Sequence, residues 1–341
     1  MKYIFSFIFW SVIFLLTSIF LISCTKETNQ SKDQSISQKP VHVTYRLKWL
    51  FNASVIGDLW AKEEGLFEKA GFIVDLKEGG PEQDAIKDLE LGRANFGVAS
   101  ADQIIRAVAK GAPVKVLAQL FQHNPLQWIY RCDKVHIKTI KDLKNYRIGV
   151  TYGGNDEAIL MALLSKYGLN PEELNFYAVH YDFNPFWKGL VDLWPVYKNT
   201  QGIVIANKMM EKGEQACFLN PPAYGIKFVA NSLITSDKFL KHRPAIVKKF
   251  TKVLIQAWSQ ALADENLDRA VHILKKYNPE ISVDLLKQQI KATKLLVMPD
   301  GLTKLGQRDK EAWEQTEEIM FNQHLIQQDV IIEHILTPPL L

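Results

Sequence analysis

The chain has 341 residues, is 47% hydrophobic and 23% charged, and carries a formal net charge of +4 at pH 7. These values are those of an ordinary globular protein, and so small a charge balance argues against a nucleic-acid or strongly acidic partner. Its eight histidines and three cysteines form neither a His-Glu-x-x-His nor a Cys/His cluster, so no metal and no cofactor is expected.

Met1 and Lys2 precede an almost unbroken apolar run from Tyr3 to Ile22, which ends in Leu21-Ile22-Ser23-Cys24. A basic start followed by an apolar core reads as an export signal. Its ending resembles the bacterial lipobox, in which the cysteine is lipidated and becomes the first residue of the mature chain. The run is also long enough to span a bilayer, so a plain membrane anchor is the competing reading. Both readings hold the remainder at a membrane surface outside the cytoplasm. Residues 25–40 are polar, with Ile36 the one sizeable apolar side chain, and are expected to form a flexible tether. Cys132 and Cys217 are too scattered to suggest a bridge and are expected to be unpaired.

Residues 41–341 exceed what one compact core usually serves, so two lobes are expected. Val41 to Leu47 alternates like a strand. Ile56 to Ala70 has helical spacing, Phe72 to Leu76 is a second strand, and Gly79-Gly80-Pro81 turns into a helix over Glu82 to Leu91. Asn95 to Val98 is a third strand. Ser100 and Gln103 have capping-box spacing and open a helix to Lys110. Val114 to Phe121 and Trp128 to Cys132 read as further strands.

A similar unit follows Val135: a strand over Lys144 to Thr151, the loop Tyr152-Gly153-Gly154-Asn155, and a helix over Asp156 to Tyr167. Leu190 to Ile205 and Ala216 to Val229 supply more strand candidates. From Asp237 onward the pattern is helical, over Asp237–Leu240, Pro244–Ala263, Asn266–Tyr277, Val283–Leu296 and Lys304–Asn322. The order predicts an α/β chain that crosses to a second lobe and returns, with hinges near Tyr130–Lys134 and Phe228–Leu233.

Several segments together resemble a family. They are Lys48-Trp49, the run Leu59 to Gly71, Glu78-Gly79-Gly80-Pro81, Leu91 to Val98, Lys110 to Val114, Val191-Asp192-Leu193-Trp194, and Tyr224-Gly225-Ile226. In this order they look like the solute-binding proteins of bacterial ABC importers, in the superfamily with sulfonate-, nitrate-, riboflavin- and thiamine-pyrimidine-precursor-binding members. The resemblance implies a type II periplasmic-binding-protein fold, two α/β lobes joined by a double-crossover hinge with a helical C-terminal tail. Its organisation would be a lipoprotein signal over 1–24, a tether over 25–40, a first lobe over 41–133 and 232–341, and a second over 134–231. It further implies a monomer that carries a small-molecule ligand to ABC permease subunits and touches the lipid membrane through Cys24.

The superfamily also contains a pyridoxal-phosphate-binding, self-consuming pyrimidine-precursor synthase of thiamine biosynthesis. Where that enzyme carries its cofactor lysine and sacrificial histidine, this sequence aligns Ala99 and Gln103, and only Cys217 falls in its cysteine-rich stretch. Ser100 lacks the following glycine of a nucleophile elbow, and Asp182 and Asp192 have no obvious partner, so no catalytic residue is assigned.

In each unit a strand runs into Gly-Gly and then a helix, which would leave backbone N–H groups facing a cleft. The expected ligand contacts are Trp49, Asn52, Gly79, Gly80 and Ser100 from the first unit. From the rest of the chain they are Trp128, Gly153, Gly154, Asn155, Trp194, Tyr197 and Tyr224. Aromatic residues near strand ends suit a flat heteroaromatic ligand, and the resemblance places Trp49 against it. Many relatives carry Asn-Glu where this chain has Asn199-Thr200, which removes an acceptor for an amino group and leaves the ligand open. A sulfonate or nitrate is the alternative.

Overall fold

The alternation along Val41–Arg46 is a strand, β1, with Val43 and Tyr45 turned into the core. The computed structural model describes residues 39–80, 83–180, 182–299 and 304–338. The export signal, Cys24 and all but the last two residues of the tether therefore lie outside the described residues. Three more strands follow β1: β2 (Phe72–Lys77), β3 (Phe96–Ala99) and β4 (Val114–Gln119). β1 runs parallel to both β2 and β3. The one helix expected over Ile56–Ala70 is two, Ile56–Glu63 and Leu66–Lys69. The break is at Gly65, whose φ of 64° is left-handed and costs glycine no Cβ clash.

After β4 the chain crosses into a second sheet region. β5 (Leu126–Arg131) pairs antiparallel with β8 (Trp194–Tyr197) and β9 (Ala216–Leu219). β6 (Arg147–Val150) and β7 (Asn175–Ala178) form a parallel pair, and the Gly149 amide reaches the Leu193 carbonyl at 2.8 Å. The chain then returns as β10 (Ser232–Ser236), antiparallel to β3 and β4, completing a five-stranded sheet ordered β2-β1-β3-β10-β4. The double crossing is thus the expected one. Its first leg, however, is residues 120–125, ahead of Tyr130–Lys134, because β5 pairs with β8 and β9 and not with the first sheet.

One strand candidate and the cysteines also differ from expectation. Leu190–Ile205 was expected to be extended, yet only Trp194–Tyr197 is; Gln201–Glu211 is a helix. The β-branched run Ile203-Val204-Ile205 imitates a strand, but the buried residues Gly202, Ile205 and Met209 recur at helical spacing. Cys132 and Cys217, expected to be unpaired, form a disulfide. Strand pairing brings them together, since Tyr130 lies opposite Cys217 in the β5–β9 register.

The first sheet is closed by the late helix Pro244–Ala261. Its Phe250 ring lies 3.8 Å from Phe96, 5.2 Å from Phe67 and 5.4 Å from Tyr45 between centroids. Asp192, read as partnerless, pairs with Arg147 at 2.8 Å beside the second sheet.

Candidate ligand-binding site

The loop after β1 is built around Trp49. Its carbonyl accepts the Gly79 amide at 3.0 Å, and a Cβ at Gly79 would overlap the Leu47 carbonyl and Lys48. Glycine at 79 is therefore required by the close approach of two loops. Glu78 fixes the same junction, accepting the Phe51 amide at 2.7 Å on its side chain and Arg46 Nη1 at 2.6 Å on its carbonyl. Asn52 is spent on structure: its Oδ1 accepts the Ser54 amide at 2.8 Å and caps the turn Ala53–Val55.

Tyr197, at the end of β8, joins this loop to the second sheet region. Its hydroxyl accepts from Lys48 Nζ at 3.2 Å and from Asn155 Nδ2 at 3.4 Å. A phenol that accepts from both still has its own hydrogen to donate. Leu50 and Tyr152, one residue beyond Trp49 and one before Gly153, are exposed apolar side chains. The structure therefore brings Trp49, Gly79, Asn155 and Tyr197 to neighbouring loops, coupled through Lys48.

The amides of Gly79, Gly153 and Gly154 are all engaged within the protein. Glu157 Oε2 accepts the Gly153 amide at 2.7 Å, the Thr151 carbonyl accepts that of Gly154 at 2.8 Å, and Asp156 Oδ2 accepts that of Thr151 at 2.6 Å. Burial pushes the Asp156 carboxyl up to about 6 against the lowering effect of the Thr151 amide. Gly80 leads to a helix, Ala85–Glu90, whose first amides are already capped by Asp84. The carboxylates at positions 84, 156 and 157 follow the glycines too closely to leave the amides open.

Other candidates stand elsewhere. Ser100 is a buried helix cap, with Gln103 Oε1 accepting its amide at 3.2 Å. Trp128 is fully buried and donates its indole N–H to the Gly149 carbonyl at 2.9 Å. Trp194 packs among Phe183 and Phe186, and Tyr224 sets its edge on Tyr167, 6.1 Å between centroids. These four are engaged in the interior or with neighbouring side chains.

Sequence reading missed a cleft of about 220 Å³ that opens beside Lys198 and Asn199. The crossing residues His123 and Asn124, the strand-end residues Gln127 and Asn220, Pro222, and Ala292, Leu295 and Leu296 complete its walls. The helix Val283–Val297 is docked there by its Leu296 carbonyl, which accepts the amides of Gln122 and His123. Asn199 is a node: its Nδ2 donates to Ser54 Oγ and to Thr293 Oγ1, both at 2.9 Å. The Oδ1 of Asn199 and the Oε1 of Gln127 are buried, and neither accepts from any described residue. Such an atom costs about 1–3 kcal/mol while unsatisfied. The available signal was a polar residue inside an apolar strand, Leu126-Gln127-Trp128, but alternation alone does not say that both faces are covered.

Two regions, a double crossing and a helical C-terminal part make this a type II periplasmic-binding-protein fold. The aliphatic sulphonate-binding protein SsuA of Escherichia coli superposes with a TM-score of 0.70 at 15% identity, over 89% of this chain and 93% of that one. The chain belongs to the NMT1/THI5-like family, which matches residues 52–266. It is 23% identical to a putative thiamine biosynthesis protein of Haemophilus influenzae, over 83% of this chain and 88% of the relative. It is 26% identical to the riboflavin-binding protein RibY of Chloroflexus aurantiacus, over 71% and 69%. A 4-amino-5-hydroxymethyl-2-methylpyrimidine phosphate synthase of Saccharomyces cerevisiae is 24% identical over 72% and 74%.

Proposed function

We propose that this protein is an exported, Cys24-anchored solute-binding protein that holds a small heteroaromatic molecule and presents it to the permease of an ABC importer. The observation that carries the reading is the Tyr197 hydroxyl, which draws Lys48 from the loop after β1 and Asn155 from the first turn of the helix Asn155–Lys166 to one point. A ligand seated there touches both sheet regions, and interactions that form only when both engage it favour a closed form. Relatives named for riboflavin and for thiamine biosynthesis support the ligand class. The Cys132–Cys217 bridge supports an oxidising compartment, hence export.

Binding without chemistry is favoured over the synthase reading by Ala99, which carries no functional group, and by Gln103, which is engaged in capping Ser100. An anionic ligand is the second reading, favoured by the Lys48 ammonium at the cluster. A thermal-shift screen of the full-length protein with vitamin precursors, flavins, pyrimidines, sulfonates and nitrate separates the two. Trp49→Ala is expected to weaken a flat ligand by roughly 2–4 kcal/mol, about 30- to 1,000-fold. A sulfonate or nitrate hit that Trp49→Ala binds normally would refute the heteroaromatic ligand.

A further inference from the structure

The formal charge of +4 is unevenly placed along the chain. Residues 237–252 hold six cationic side chains, Lys238, Lys241, Arg243, Lys248, Lys249 and Lys252, against the single carboxylate of Asp237, which leaves the remainder of the chain at −1. All six are exposed. In the helix Pro244–Ala261, Val247, Phe250, Thr251 and Leu254 form the buried stripe, and helical spacing sets Lys248, Lys249 and Lys252 on the opposite side. Lys238 and Lys241 come from the short helix Asp237–His242 just before it, and Arg243 from the junction. Among the described residues only Lys241 of the six has a carboxylate partner, Asp237 at 2.7 Å. Neighbouring elements do not neutralise the face. The helix Leu66–Lys69, whose Phe67 stacks on Phe250, carries Glu68 beside Lys69, and on β2 Asp75 pairs with Lys77 at 3.2 Å.

The face also has a telling place in the fold. Lys249 holds its ammonium 5.9 Å from the centre of the Phe72 ring. Phe72 is the register partner of Val41, whose amide donates to the Gly71 carbonyl at 2.8 Å. Val41 opens β1, so the basic face begins where the segment from Cys24 joins the fold, with only residues 25–40 between them.

We propose that this basic face is a membrane-facing surface, which lies against anionic lipid headgroups and sets the orientation of the folded part. The proposal goes beyond solute binding and rests on the export and anchoring in that reading. Attraction between exposed charges fades over a Debye length of about 8 Å at physiological salt, so these side chains act on headgroups only when held close to them. An anchored segment that joins the fold beside Lys249 supplies that closeness. An anchor fixes distance but not orientation, and a cluster of cations on one side adds the orientation.

The test is lysine acylation, read by mass spectrometry, on the full-length protein in vesicles of phosphatidylcholine alone or with about 30% phosphatidylglycerol. Flotation with the phosphatidylcholine vesicles reports the anchor by itself. With phosphatidylglycerol, Lys248, Lys249 and Lys252 are expected to react at least about threefold more slowly than without it. Salt near 1 M, where the Debye length is about 3 Å, restores their rates. Lys134 and Lys208, exposed in the second region, are the references and keep theirs. In the variant Lys248→Gln/Lys249→Gln/Lys252→Gln, protection of Lys238 and Lys241 is expected to fall by more than half. Equal rates in the two kinds of vesicle would overturn the membrane-facing surface and, where the protein floats, leave the anchor standing. Undiminished protection in the triple variant would overturn it as well, because the anchored segment alone would then hold the face in place. Flotation with phosphatidylglycerol vesicles only supports the face and counts against the anchor, and flotation with neither counts against both. Protection by a DNA duplex and not by phosphatidylglycerol would assign the face to nucleic acid and overturn the proposal.

Discussion

The two sheet regions are stabilised by different means. In the first, strands from the start of the folded chain are sealed by the late helix Pro244–Ala261, with Phe250 stacked on Phe67 and Phe96 and edge-on to Tyr45 and Phe72. In the second, the sheet is split into β8-β5-β9 and β6-β7, and the strands are shorter. There the buried clusters around Trp128 and Leu163 and around Phe186 and Trp194 are supplemented by a covalent link between neighbouring strands and by Arg131, which pairs with Glu214 at 3.0 Å and covers the Phe186 ring at 4.5 Å. The contrast is that the first region is completed by the C-terminal return, whereas the second carries a covalent cross-link of its own.

Breaking the bridge is the harshest way to probe that contrast. Cys132 and Cys217 are 85 residues apart, and chain entropy gives a loop of that size about 4–5 kcal/mol. The double variant Cys132→Ala/Cys217→Ala is therefore expected to unfold at clearly lower guanidinium concentration. Equal unfolding midpoints for the variant and the parent would show that packing alone holds the second region.

Phe250→Ala probes the other side, with an expected loss of about 3–4 kcal/mol from the vacated aromatic cluster. Amide exchange should rise first in β1–β3 and leave β5–β9 protected. Uniform loosening of both regions would contradict their separate dependence.

The smallest effect concerns the buried Asp58 of the first region, whose carboxylate accepts from Tyr45 at 2.6 Å. Burial raises its carboxyl from 3.8 to about 7, partly opposed by the hydrogen bond from Tyr45. Because the folded state holds the proton more tightly than the unfolded one, this contribution is complete below about pH 4 and is lost as pH rises through 7. Between pH 5 and pH 7 it amounts to roughly 2 kcal/mol. Asp58→Asn should flatten that part of the stability profile, and a variant with the parent's slope would show that another group carries it.

Most elements were legible because their periodicity is local: the strand alternation of Val41–Arg46, and the capping box of Ser100 and Gln103 that opens Ala101–Ala109. The double crossing was legible from the order of the elements, and the family from the resemblance of an ordered series of motifs. What failed was non-local. Ile203-Val204-Ile205 chose a helix through burial against its surroundings, the Cys132–Cys217 bridge depended on strand register, and the amides of Gly79, Gly153 and Gly154 were taken by the Trp49 carbonyl, the Glu157 carboxylate and the Thr151 carbonyl. Of the candidate site, Trp49, Gly79, Asn155 and Tyr197 were singled out by the sequence and stand on segments joined by the Gly79–Trp49, Lys48–Tyr197 and Asn155–Tyr197 hydrogen bonds, but the Lys48–Tyr197 contact spans 149 positions and left no local signal.

The central claim is that the protein holds a small molecule and does not transform it. Full-length protein incubated with the hit of the solute screen, then denatured, releases the molecule for chromatography and mass measurement. One equivalent of unchanged ligand per chain is the expected result; a converted product accumulating beyond one equivalent would contradict the claim.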